Sequence, residues 1–189
     1  MDHLALNGIA SSDLRSGLRD VTRALHDEIE AIWTPAGGFA SRQTYLDFLS
    51  ALLFVHRRLG ALAALRRGDP EDVIEEHRRV AGLTEDLNAA PSRALAVEDI
   101  DEGFAWGVGY VLNGSSLGAA VLLKAGALGP DWPTRYLMIG RDYVTSGRLK
   151  RFFDALNAVD HDPDMVQEGA FAAFEQLGSF RGDLRRKIA

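Results

Sequence analysis

Four glycines, Gly103, Gly107, Gly114 and Gly118, lie in one long apolar stretch at spacings that bring them onto one face of a helix. At 100° per residue they fall within an arc of about 60°, joined there by Tyr110, Val121 and Ala125. Each glycine costs about 0.8–1 kcal/mol relative to alanine in a helix interior, so the bare face gives up local stability for close approach. Two partners fit such a face: a second helix, or a flat ligand. Asn113, Ser115 and Ser116 stand beside the stripe, polar groups in an apolar segment that need buried partners or ordered water. A face both bare and wet favours the ligand.

Three histidines could serve it. His26 sits at the edge of an apolar stripe with Thr22 one turn earlier. Neutral imidazole is a common iron ligand, and a lone histidine is one way a protein holds haem iron. His56 and His77 also lie beside apolar stripes, and position alone does not choose among the three. Arg15, Arg19 and Arg23 follow one another at intervals of four. Arg19 lies two turns before His26, about 10 Å along the axis, a distance that suits a carboxylate on the rim of a ligand centred over the histidine. The same row also reads as a solvated face, with Asp27, Glu28 and Glu30 available to pair with it.

Helices must position these residues. Apolar residues recur at three and four, and the breaks fall at Gly, Pro and Asp clusters, so the chain reads as all-α. Leu14, Leu18, Val21, Leu25, Ile29 and Ile32 form the stripe of a first helix with Ser11 or Ser12 as N-cap and Asp13 in its first turn. A second helix runs from an N-cap at Ser41 to Arg67. A third, opened by Pro70, presents Val73, Ile74, His77, Val80 and Leu83 and ends near Asn88. The glycine-rich helix spans about Ile100 to Leu128. Shorter helices start at Thr134 and at about Ser146, and the last begins at Asp162-Pro163 with Val166, Ala170, Phe171, Phe174 and Leu177 toward the core.

The 189 residues fit one domain, 1–189, with 1–12 as a flexible N-terminal tail. A net charge of −6 and a pI near 5.3 argue against a nucleic-acid partner. With no cysteine in the chain, disulfides, zinc–thiolate sites, iron–sulfur clusters and thiol nucleophiles are excluded. The segment from Phe104 to Leu123 is long enough to span a bilayer, but Asn113, Ser115 and Ser116 interrupt it and acidic residues precede it. No membrane partner is expected. The Met1-Asp2-His3-Leu4 start lacks a secretory pattern, which makes the cytoplasm the expected location.

Two motifs then resemble those of haem oxygenases of the bacterial branch. Leu18-Arg19-x-x-Thr22-x-x-Leu25-His26-x-x-Ile29-Glu30 is similar to the proximal helix, with its iron-ligating histidine. Tyr110-Val111-Leu112-Asn113-Gly114-Ser115-Ser116-Leu117-Gly118-Ala119-Ala120 resembles the distal helix, whose glycines let it kink over the haem. The resemblance runs from about Leu14 to Phe180. It implies an all-α fold holding haem between a proximal and a kinked distal helix. It further implies oxidative cleavage of haem to biliverdin, carbon monoxide and ferrous iron, with haem as both substrate and prosthetic group.

On that resemblance His26 is the iron ligand, and Gly114, Ser115 and Gly118 form the catalytic surface. Arg19, Thr22, Tyr110 and Ser116 contact the haem, while Lys124, Arg148 and Arg151 are candidates by type and region for its far propionate. Ser115 stands where many members carry an aspartate and some bacterial relatives share a serine, so the proton path is expected to rest on ordered water and backbone carbonyls. Ala119 replaces the second glycine of the usual pair. Electrons would come from a ferredoxin or a reductase, because no flavin or nicotinamide fingerprint is present. The binding-class alternative is a haem carrier or sensor that keeps the fold without turnover. A further alternative is a helical protein whose glycines only pack helices.

Overall fold

The computed structural model describes residues 14–35, 37–90, 99–126, 128–158 and 160–188, with backbone alone over 181–188. Eight α-helices cover most of these: α1 (Leu14–Trp33), α2 (Arg42–Val55), α3 (Ala61–Arg67), α4 (Pro70–Asp86), α5 (Glu102–Ala125), α6 (Arg135–Thr145), α7 (Arg148–Ala158) and α8 (Pro163–Ile188). No strand occurs among the described residues. The tail over 1–12 and the expected caps Ser11 and Ser12, with Asp13, lie outside them.

Helix starts follow from local chemistry. Ser41 accepts from the Thr44 amide at 3.1 Å, and Asp69 accepts from Glu71 N at 2.8 Å ahead of Pro70. Asp101 accepts from Gly103 N and Phe104 N to open α5. Gly126 closes α5 in the left-handed conformation at φ 61°, which glycine adopts without the Cβ clash other residues suffer. Between α2 and α3 the sequence suggests one continuous helix, but the turn His56–Gly60 is π-helical. That local widening is a common site of functional irregularity.

α5 is the central helix. It packs on α8 most extensively, and on α6, α3 and α7 besides; α8 also covers α1 and α2. Leu18, Trp33, Tyr45, Leu49, Leu52, Leu83, Leu137 and Leu156 are among the most buried large side chains. The α5–α8 approach is close because glycines face backbone on both sides. A Cβ on Gly107 would overlap the Val166 carbonyl oxygen, and one on Gly169 would overlap that of Phe104.

α4 departs from the expected pattern. Its buried residues are Glu75, Glu76, Arg79, Gly82 and Leu83, while Ile74 is exposed and His77 points outward. Charged side chains therefore make its inner face, because they find partners there that an amphipathic pattern does not reveal. Two helical spans, Arg42–Arg67 and Glu102–Ala125, are long and apolar enough to cross a membrane. About half of each is buried inside the protein.

Candidate functional site

The glycine stripe divides into two halves with different neighbours. Gly103 and Gly107 lie against α8: a Cβ on Gly103 would come within 3.1 Å of Met165 Cβ, and one on Gly107 would enter the α8 backbone. Gly114 and Gly118 are different, because a Cβ added at either meets no heavy atom within 4 Å. Leu117 and Val121 extend this second half at helical spacing and are 44% and 65% exposed. The C-terminal half of α5 thus carries an apolar, bare and unfilled face.

Tyr110 lies at the boundary between the halves. Its phenol forms a side-chain hydrogen bond with Thr22 of α1 and lies near Arg15 and Arg19. Burial raises the Tyr110 pKa above its ordinary value, against the pull of Thr22 and the two arginines. Thr22 also donates to the Leu18 carbonyl at 2.7 Å. One turn beyond Thr22 on α1 stands His26, and one turn beyond Tyr110 on α5 stands Gly114.

His26 is open. Its side chain is 61% exposed, its ring meets Phe174 of α8 edge-on at 6.3 Å, and its Nδ1 lies 3.8 Å from Glu30 Oε1. With Nδ1 turned toward Glu30, Nε2 is the nitrogen available to a metal. His56 is the opposite case: fully buried, with Nδ1 2.7 Å from Glu76 Oε1 and Nε2 3.2 Å from the Tyr136 hydroxyl. Both ring nitrogens are occupied. His77 is exposed on α4, beside an open cavity lined also by Arg57, Val80 and Thr84. Of the three histidines, His26 alone shares a helix with the residue that meets Tyr110.

Behind α5 lies a polar cluster that the sequence reading did not anticipate. Arg79 is 2% exposed; its Nη1 donates to Asn113 Oδ1 at 2.7 Å and its Nη2 to Ser116 Oγ at 3.3 Å. The guanidinium also stacks 4.4 Å from the Tyr143 ring centroid. Asn113 and Ser116 therefore have the buried partners they require. Ser116 faces Arg79 and not the open face.

Ser115 Oγ lies 3.1 Å from the Tyr136 hydroxyl and can donate to the Leu112 carbonyl at 2.7 Å. With His56 and Glu76 this makes a continuous chain: Ser115, Tyr136, His56, Glu76. Two proton arrangements satisfy it. With a neutral ring, Ser115 donates to Tyr136, Tyr136 donates to His56 Nε2, and Nδ1–H donates to Glu76. With one more proton, Nε2–H donates to Tyr136, Tyr136 to Ser115, and Ser115 to Leu112. The two arrangements differ in the direction of the Ser115–Tyr136 and Tyr136–His56 bonds, while the Nδ1–H bond to Glu76 is kept in both. A continuous side-chain hydrogen-bond chain thus lies behind α5, ending on the Leu112 carbonyl.

The charges fit that arrangement. Burial pushes the Glu76 carboxyl up, but His56, through its charge and its hydrogen bond, and then Arg79 and Arg67 hold it below its ordinary value. Gly60 makes room for it, because a Cβ there would overlap the Glu76 carboxylate. Burial raises the Tyr136 phenol despite Arg79 and Ser115, and pushes the Tyr143 phenol up to about 12.

The remaining expected contacts are dispersed. Arg148 Nη1 donates to the buried Glu75 Oε2 at 2.6 Å, and Arg151 lies 3.6 Å from Glu71 Oε2, so both side chains turn toward α4. Lys124 is exposed in the last turn of α5. Arg19 is exposed on α1, while Arg23 pairs with Asp20 at 2.8 Å on the surface. Glu76, Arg79 and Tyr136 carried no sequence signal, because charged residues on a helix default to solvent.

Neither family models nor curated proteins yield a match to this sequence. Among solved structures, the chain is similar to the haem oxygenase of Neisseria meningitidis, a protein determined with NO and CO bound. The TM-score is 0.63, the identity is 23%, and the similarity covers 88% of this chain and 89% of that one. Similarity of this extent at such low identity concerns backbone architecture: the chain has the all-α fold of a haem oxygenase.

Proposed function

We propose that this chain is a haem oxygenase, residues 1–189 acting as one cytoplasmic domain that cleaves haem to biliverdin, carbon monoxide and ferrous iron. The observation that carries the reading is the unfilled face at Gly114 and Gly118. Bare backbone, flanked by exposed Leu117 and Val121, fits a flat apolar macrocycle, whereas the same helix uses Gly103 and Gly107 for packing. The similarity of the fold to the haem oxygenase of Neisseria meningitidis supports the same chemistry.

When bound, haem supplies both the iron centre for oxygen chemistry and the ring that is consumed. The protein's residues bind, orient and deliver protons. His26 would hold the iron through Nε2, with Glu30 3.8 Å from Nδ1 on the same helix. Thr22 and Tyr110 join the two walls at one end. Arg19 is exposed on the His26 helix and pairs with one propionate; Lys124 is the freer candidate for the other, because Arg148 and Arg151 already face Glu75 and Glu71. Gly114 and Gly118 set how closely α5 approaches the ring and so which edge is presented. Ser115 passes protons from the Tyr136–His56–Glu76 chain, a role many members give to an aspartate. A ferredoxin or reductase supplies electrons from outside.

Ser115 also favours a second reading, a haem carrier or sensor with the same fold and no turnover. One experiment separates them. Haem is titrated into the full chain, and the complex is exposed to a reductant and oxygen. Loss of the Soret band with growth of bilin absorption establishes the enzyme; a persistent Soret band establishes the carrier. Failure to form any defined haem spectrum removes both.

A further inference from the structure

α6 begins without a cap of its own. The first N–H groups of a helix have no partner inside it, and the residue before the first turn usually supplies one. Thr134 holds that position with φ −134° and ψ 8°, and its side chain makes no capping bond. The acceptors come instead from Asp86, the last residue of α4. Its Oδ1 accepts from Arg135 N at 2.9 Å and its Oδ2 from Tyr136 N at 2.8 Å. Both carboxylate oxygens are used, on two successive amides, across fifty positions of sequence in the case of Tyr136.

The second of those amides belongs to the residue whose phenol bridges His56 and Ser115. Tyr136 is 4% exposed, and its ring packs edge-on against His56 at 5.7 Å. Its backbone is held at one end by Asp86 and its hydroxyl at the other by the polar chain. We infer that Asp86 is a positioning residue: by capping α6 from α4 it fixes the seat of the Tyr136 hydroxyl between His56 and Ser115. Its importance for turnover rests on the haem-oxygenase reading; the positioning itself does not.

The alternative is that Asp86 only stabilises α6. Removing Asp86 leaves the same two amides without acceptors in either case, so only a readout at the Tyr136 hydroxyl separates the two roles. Burial lifts the Asp86 carboxyl above its ordinary 3.8, outweighing the two N–H donors and Arg135, with Glu85 adding to the rise. A folded pKa above the unfolded one means stability that is present at low pH and lost as pH rises through the folded value. At neutral pH the ionised carboxylate is therefore held against its own burial.

The test uses the full chain without haem, with the ring nitrogens of His56 followed by nitrogen NMR. Tyr136→Phe, which removes the hydroxyl, defines the His56 Nε2 signal when the bridge is lost. Asp86→Ala is expected to move that signal toward the Tyr136→Phe position, and Asp86→Asn, which keeps one acceptor oxygen, to move it part of the way. In the double variant Asp86→Ala with Tyr136→Phe, no further shift is expected. Should Asp86→Ala fail to fold, Asp86→Asn carries the comparison. A wild-type His56 signal in the folded Asp86 variants overturns the inference and leaves Asp86 a helix cap only. The haem-loaded protein then reports separately: a shifted His56 signal with no bilin formed by wild type leaves the positioning intact and removes the haem-oxygenase reading.

Discussion

Arg79 and Asn113 meet at 2.7 Å in the interior, one from α4 and the other from the middle of α5, and both are nearly inaccessible to water. The guanidinium answers two polar groups of α5 at once, Asn113 and Ser116, and it also steadies the Glu76 carboxylate. Replacing it with Leu strands Asn113 and Ser116 and takes from Glu76 one of the charges that hold it, leaving His56 and Arg67. Removing one member of a buried charged cluster costs about 3 kcal/mol or more, so Arg79→Leu is expected to lower the free energy of unfolding by that order in urea. A cycle with Asn113→Leu should show a double variant less damaged than the sum, because Arg79 then leaves one fewer orphan.

Glycines on one stripe should respond with opposite signs. Nothing lies within 4 Å of a Cβ at Gly114 or Gly118, so alanine there reports helix propensity alone and should raise stability by about 0.4–1 kcal/mol. At Gly107 the new Cβ enters the α8 backbone, and Gly107→Ala should lose about 1–3 kcal/mol through overpacking. Thermal unfolding of the haem-free chain reads both. Haem titration gives the complementary result: Gly114→Leu and Gly118→Leu should weaken binding while leaving the chain folded.

The contrast shows what a sequence can and cannot reveal here. The stripe was legible because glycine at helical spacing is costly and therefore informative, and so were the caps at Ser41 and Asp162, which follow local rules. Which glycine meets a helix and which meets open space depends on where α8 crosses α5, a long-range fact. α4 was misread for a related reason. Ile74 fits an apolar stripe yet is 61% exposed, while Glu75, Glu76 and Arg79 are buried because partners arrive from the π turn, α5 and α7. The π turn at His56–Gly60 was invisible too, since Gly60 inside a helix reads as a minor weakness until the Glu76 carboxylate is seen to occupy its Cβ space.

Glu76 should make the fold sensitive to acid. Its folded pKa lies below the unfolded value of 4.5, because His56, Arg79 and Arg67 outweigh the burial that opposes ionisation. A depressed carboxylate contributes stability that is present above 4.5 and lost as pH falls through the folded value. Unfolding free energies measured from neutral pH down to about 3 should therefore fall more steeply in wild type than in Glu76→Gln. The two curves should converge at the acid end, where both side chains are uncharged. Equal slopes would show that Glu76 is not ionised in the native state.

His26 and His56 give the last contrast, because burial separates a ligand from a structural residue before any haem is added. His26 is 61% exposed, with Phe174 edge-on at 6.3 Å and Glu30 at 3.8 Å. His26→Ala should leave the haem-free chain within about 0.5 kcal/mol of wild type, as surface substitutions do. It should nevertheless change the ferric haem spectrum, with added imidazole restoring it by filling the vacated space. His56 has no exposed surface and both nitrogens engaged. His56→Ala should destabilise the haem-free chain by about 2 kcal/mol or more, since it leaves Glu76 a buried charge without its nearest partner. Its haem complex should keep an imidazole-ligated spectrum. A spectrum that survives His26→Ala and is lost in His56→Ala or His77→Ala would move the iron to another face of the protein and detach it from the open glycines.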